Sequence, residues 1–192
     1  MVYLAAIAAG LLIGLLFRGK PSNLLSFKLK KTWILLLAFV LQSSSQILAV
    51  RGFDFAIRYS LLLNSIVFCM LLTVIWSNKQ YLGILTVGLG CLLNALVMTL
   101  NGGKMPVSEE LLLREQMFDI LEIYRIGGDG KHILATDSTQ LAFLGDMIDI
   151  PGKLGYIAKF ISIGDVFVIM GLCILVIEIM IDRKFNVLSK SV

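Results

Sequence analysis

Histidine is nearly absent from this chain and cysteine is sparse, with one His and three Cys in 192 residues. Zinc sites draw on these two residue types, so a zinc centre has too few donors outside the apolar runs. Cys69, Cys91 and Cys173 all fall within such runs, where thiols behave as small hydrophobes, and supply neither a disulfide framework nor a metal cluster. Charge is scarce as well: 16% of residues are charged against 58% hydrophobic, with a mean hydropathy of +0.90. That apolar content exceeds what one soluble core of this length needs, which excludes a water-soluble globular class. There is no internal repeat at periods of 20 to 50 residues and no inverted pair of broken helices of the kind transporters show. No EF-hand spacing is present, and GGDGK at 127–131 lacks the spacing and the following Ser or Thr of a phosphate loop, so it reads as a turn.

Long apolar runs are what the sequence does have. They predict spans at about 2–17, 32–50, 58–76, 81–100 and 165–181, each roughly 24–30 Å long at the helical rise and close to the thickness of a hydrocarbon core. In lipid they must be helices, because an open strand leaves backbone N–H and C=O groups unpaired. No Lys or Arg precedes the first run, whereas Arg18 and Lys20 follow it, so it is read as a retained helix and not a cleaved signal. Five basic residues and no acid in 18–31, with Arg183, Lys184 and Lys190 after the last run, put those segments in the cytoplasm. The N-terminus is then outside and the C-terminus inside. Residues 101–164, with nine Asp/Glu against six Lys/Arg, fall outside. Phe17, Trp33, Trp76 and Tyr81 then mark the cytoplasmic interface. Basic residues beside membrane ends fit anionic lipid as a partner, and no nucleic acid.

The segment 101–164 has the marks of a structured insertion. Ser108 can cap a helix with Glu109 and Glu110 in its first turn, stopped by Gly127-Gly128. At 100° per residue Leu113, Met117, Ile120, Leu121, Ile123 and Tyr124 share one face, suited to the bundle, to lipid headgroups or to a docking protein. Asp137 or Ser138 can cap a short helix through 139–144 before Gly145 and Pro151, and the apolar stretch 154–163 is too short to span.

Polar residues gather at one depth. Ala6, Gly10 and Gly14 form a small-residue ridge that places the first helix against another, in this chain or a second copy. Gln42 and Gln46 lie one turn apart in the second span, Asn64 near the outer end of the third. Thr86, Gly90 and Asn94 share a face of the fourth, to which Asn101 returns, and Asp165 opens the fifth at the same level. These side chains either bond across helices or line a cavity for a polar ligand beneath the insertion. In NGGKMPV, residues 101–107, Asn101 ends a helix, the glycines supply special backbone conformations and Pro106 sets the strand that leaves the membrane. Glu178 lies near the inner end of the fifth span, within reach of Asp182, Arg183 and Lys184. His132 with Asp137 and Ser138 invites a triad reading, but spacing alone does not support it. Asp146, Asp149 and Asp165 are candidates for a divalent cation.

NGGKMPV, HILATDS, LAFLGDMIDIP and SIGDVFVIMG, in this order around a five-span frame, resemble a family of bacterial multi-pass membrane proteins known only as a domain of unknown function. The resemblance implies a bacterial cytoplasmic (inner) membrane location and draws attention to Asn101, Gly102, Met105, Pro106, Leu144, Gly145, Asp146, Pro151, Gly164 and Asp165. It brings no activity and no cofactor. The expected architecture is an all-α integral membrane bundle of five transmembrane helices, a single domain over 1–192, with a partly helical extracytoplasmic insertion at 101–164. The expected ligand site is Asn101, Asp146, Asp165, Asn94, Gln46 and Asn64, taking a lipid headgroup, a partner membrane protein or a second copy. A metal-assisted enzyme acting on a lipid-linked substrate and a small transport component are the alternatives.

Overall fold

In the computed structural model, residues 2–126, 129–150 and 159–181 are described. Helix α1 covers Val2–Leu16, α2 Ser22–Ser26, α3 Thr32–Val50, α4 Asp54–Arg58, α5 Ser60–Ser77 and α6 Leu82–Leu100. The insertion holds β1 (Met105–Val107), α7 (Glu109–Arg114), α8 (Phe118–Arg125), β2 (His132–Leu134), a 3-10 turn at Ala142–Leu144, β3 (Ile148–Asp149) and β4 (Phe160–Ile161), before α9 (Ile163–Ile181) closes the bundle. By length and composition α3, α5, α6 and α9 are each able to cross a membrane, while α1 is a shorter apolar helix of 15 residues. Their outward faces are apolar, as in Leu12 at 65% and Phe39 at 69% exposure, so lipid rather than water suits them.

The long helices pack in the order α1, α9, α6, α5, α3. Small residues set the closest approach. A Cβ added at Gly90 would lie 2.3 Å from the Gly164 carbonyl oxygen, and one at Gly164 would lie 2.0 Å from Asn94 Oδ1. The ridge on α1 packs within this chain: Gly10 abuts Cys173 and Val176, and Gly14 abuts Met180. With Tyr3 bonded to Asp165 at the other end, the numbers rise together, so α1 runs parallel to α9. Helix α6 is antiparallel to α9, because Gly90 faces Gly164 while Gly83 faces Leu175.

At the end remote from the insertion, polar side chains serve as caps. Glu178 accepts from the backbone N–H groups of Leu82 (2.9 Å) and Gly83 (2.7 Å), placing a carboxylate on the N-terminus of α6 where the helix dipole favours it. Arg183 and Lys184, expected as its partners, lie outside the described residues. Asn23 donates to the Ile179 and Met180 carbonyls and so holds α2 on α9.

The insertion departs from the all-α expectation. Among its described residues are four short strands: β1 pairs with β2 in parallel, and β3 with β4 antiparallel. Three-residue strands are too short for alternation to show, and Pro106, with no N–H to give, uses only its carbonyl, which accepts from Asp146. The single helix expected after Ser108 is two. Ser108 does cap α7, accepting from Leu111 N–H at 3.3 Å, but Gln116 at φ 56° breaks the helix before α8. The break rotates the apolar face, burying Leu112 completely and leaving Leu113 47% exposed. Leu112 joins Val107, Leu121 and Leu134 in a core of the insertion's own, while Met105 and Leu144 join Val97 and Met98 of α6 and fix the insertion to the bundle. The helix expected over 139–144 is reduced to the 3-10 turn, since the Thr139 hydroxyl accepts from the Thr136 N–H in a local turn. Of the stretch 154–163, residues 159–163 turn through β4 into α9; Pro151 and 152–158 lie outside the described residues.

Candidate functional site

Strand pairing brings the insertion's reactive side chains over the open ends of α1, α3 and α9. In the β1–β2 register Met105 faces His132, and a parallel bridge on β1 joins Val107 to Asp146, so β1 positions both. The Asp146 N–H donates to the Pro106 carbonyl at 2.8 Å. Ahead of β2, Asp129 Oδ1 accepts from the N–H groups of Lys131 (2.9 Å) and His132 (2.8 Å). This tight turn requires Gly130 at φ +70°, a conformation that strains other residues.

The turn sets the imidazole. Asp129 Oδ2 is bonded to His132 Nδ1, which places the proton of the neutral ring on Nδ1 and leaves Nε2 as an acceptor. Nε2 faces Asp146 Oδ2 at 3.8 Å, too far for a direct hydrogen bond. The other Asp146 oxygen, Oδ1, is buried without a partner among the described residues. Burial pushes the Asp146 carboxyl up to about 7, with the Asp165 charge adding to the shift and Lys131 opposing it. Burial also lowers His132, against the pull of Asp129, and so favours the neutral ring. For Asp129 burial acts upward, but the bonds from His132 and Lys131 prevail and hold it below the usual carboxylate range. Tyr124 stacks on the imidazole with ring centroids 4.7 Å apart.

Beneath lies a second network. Ser162 and Asp165 form a reciprocal cap at the start of α9: Ser162 Oγ accepts from Asp165 N–H at 2.9 Å, and Asp165 Oδ2 accepts from Ser162 N–H at 3.1 Å. Asp165 Oδ1 also accepts from Asn94 Nδ2 (3.2 Å) and Tyr3 OH (3.3 Å). The Ser162 hydroxyl has one proton for Asn94 Oδ1 at 2.8 Å or Asp165 Oδ2 at 3.0 Å.

Two adjoining cavities share Lys131, Asp146 and Asp165 in their walls. The outer, of about 430 Å³, is walled by the insertion together with Tyr3, Gln46 and His132. The inner, of about 230 Å³, runs between the helices past Gln42, Asn64 and Asn94 to apolar Phe68 and Leu71. Of the six residues expected at a ligand site, Asp146, Asp165, Asn94, Gln46 and Asn64 therefore stand in the walls of these cavities. Asn64 also donates to the Gly103 carbonyl at 2.6 Å. Asn101 stands apart in a different groove, where its amide clasps the Gln140 backbone and bonds the Val97 carbonyl. Asp149, expected beside Asp146 and Asp165 as a cation ligand, is instead paired with Arg114 at 2.7 Å and Lys159 at 3.4 Å. Asp137 and Ser138 are not beside His132; its partner is Asp129. The available signal was an Asp three residues before the sole His with Gly130 between them, a spacing that closes a turn.

No solved structure matches this chain. An uncharacterized protein of Thermotoga maritima is 30% identical over 158 residues, covering 81% of this chain and 79% of the relative. The model of a family of unknown function, DUF5317, matches residues 26–177, and the chain belongs to that family.

Proposed function

We propose that this protein spans the bacterial cytoplasmic membrane five times and binds the polar head of an amphipathic ligand from the outer leaflet in the paired cavities beneath its insertion. Basic residues concentrated at 18–31 support an outside N-terminus. The parallel course of α1 and α9 puts the start of α1 on the same side as the insertion, so one sidedness holds for both. Trp33 and Trp76, 67% and 72% exposed, suit the opposite interface.

The observation that carries the binding reading is the continuity of polar and apolar walls. A charged outer cavity shares Lys131, Asp146 and Asp165 with an inner one that ends on Phe68 and Leu71, the profile of a head and the start of a chain. Among the described residues Gln42 and Gln46 have no hydrogen-bond partner, although both line these cavities. Amides serving only to hold helices together would be bonded across them.

The test is extraction of the full chain in native polymer discs with mass spectrometry of retained lipids. One lipid class should be enriched over the bulk membrane and lost on Asp146→Ala and on Gln46→Leu. Retained lipid of bulk composition, unchanged in both variants, would defeat the proposal.

A further inference from the structure

We propose that the head group is a phosphate bearing a neighbouring free hydroxyl, the hydroxyl held between His132 Nε2 and the Asp146 carboxyl and the phosphate placed on Lys131. This rests on the preceding reading that an amphipathic ligand occupies the cavities.

Three observations carry it. First, Nε2 and Asp146 Oδ2 are 3.8 Å apart, and an oxygen at about 2.8 Å from each fits between them. A hydroxyl is suited to that place because it can give its one proton to Nε2, left as an acceptor, while its oxygen accepts from the protonated Asp146 carboxyl. A carboxylate or phosphate oxygen would present a bare acceptor to Nε2. Second, Asp146 Oδ1 is buried and unpartnered among the described residues, a polar atom that a ligand donor would satisfy. Third, Lys131 lines both cavities and, among the described residues, has no carboxylate at ion-pair distance. The other lysine in the outer wall, Lys159, is held by Glu115 at 3.1 Å and Asp149 at 3.4 Å. Asp165 does not compete strongly for the same cation, since Asn94, Tyr3 and the Ser162 backbone already donate to it. A lone available ammonium favours an anion, and the donor–acceptor gap beside it favours a hydroxyl on the same head.

The sole histidine gives the test a single resonance set. The full chain with imidazole-15N His132 is placed in phosphatidylcholine nanodiscs and titrated separately with phosphatidylglycerol, phosphatidic acid, phosphatidylethanolamine and soluble glycerol 1-phosphate. Phosphatidylglycerol should move the Nε2 resonance saturably; phosphatidic acid, which has the phosphate without the hydroxyl, and phosphatidylethanolamine should not. Lys131→Ala should weaken the phosphatidylglycerol response at least tenfold. An equal response to glycerol 1-phosphate would support the same chemistry and identify a soluble phosphate ester as its source. Equal shifts from phosphatidic acid would overturn the hydroxyl assignment while leaving lipid binding intact, and a response to phosphatidylethanolamine alone would replace it with an ammonium. No shift from any probe, with one lipid class still enriched in the extraction experiment, overturns this inference alone; no enrichment there overturns the binding proposal as well.

Discussion

Substituting Asp146→Asn should make the protein more stable than the parent by a margin that widens by about 2 to 3 kcal/mol between pH 5 and pH 8. The carboxyl moves from 3.8 in an unstructured chain to about 7 in the fold. A group whose folded value is raised stabilises the fold fully below its unfolded value, and that contribution is lost as pH rises through the folded value. Relative to its fully protonated limit, this one shift costs about 2 kcal/mol at pH 5 and about 4 kcal/mol at pH 8. The parent should therefore lose roughly 2 to 3 kcal/mol across that interval that the amide variant does not. For a chain of this size that is a relative shift of about 5–10 °C in apparent Tm. His132 contributes the opposite slope: its pKa is lowered, so its stabilisation is lost as pH falls, but it is present in both proteins and largely cancels from the difference. Intrinsic-fluorescence melts of both proteins in the same lipid discs at pH 5, 6, 7 and 8 give the comparison. Parallel curves would show that Asp146 is solvated, and would refute the buried placement on which the site rests.

Other consequences are simpler to read. Gly164→Ala puts a methyl group 2.0 Å from Asn94 Oδ1 and 2.7 Å from the Gly90 carbonyl, so α9 must shift from α6; melts should show a loss of about 1–3 kcal/mol. Glu178→Ala leaves the first N–H groups of α6 without their carboxylate and should lower stability by about 1 kcal/mol in the same assay, with no change in retained lipid. Gly130→Ala strains the left-handed turn, costing about 1 kcal/mol, and should displace His132 enough to shift its imidazole resonances.

What could be read from the sequence, and what could not, follows from the range of the forces. Hydrocarbon thickness selects helix length, so apolar runs alone point to α3, α5, α6 and α9. Helical rise sets depth, which is why Asn64, Asn94 and Asp165 could be placed at one level before any packing was known. The small residues of α1 announce a close partner but cannot name it; α9 is known only from the assembled fold. Inside the insertion the deciding contacts are non-local. His132 and Asp146 meet because both register on Met105–Val107, a strand too short to leave a periodic trace. Gln116, which breaks the helix between α7 and α8, is an ordinary helix former, so its left-handed backbone leaves no signal in the sequence. Asn101 illustrates the reverse case. Its helical face pointed toward the amide cluster, yet it ends α6 and its side chain is taken by the loop at Gln140.

Sidedness is the claim on which the membrane reading turns, and impermeant thiol labelling tests it most directly. In a background with Cys69, Cys91 and Cys173 replaced, single cysteines at the exposed positions Ser26 and Asp137 would be probed in intact cells. The account predicts that Asp137→Cys labels from outside and Ser26→Cys labels only after permeabilisation. Labelling of Ser26→Cys alone in intact cells would invert the bundle, move the cavities to the inner leaflet and contradict the account.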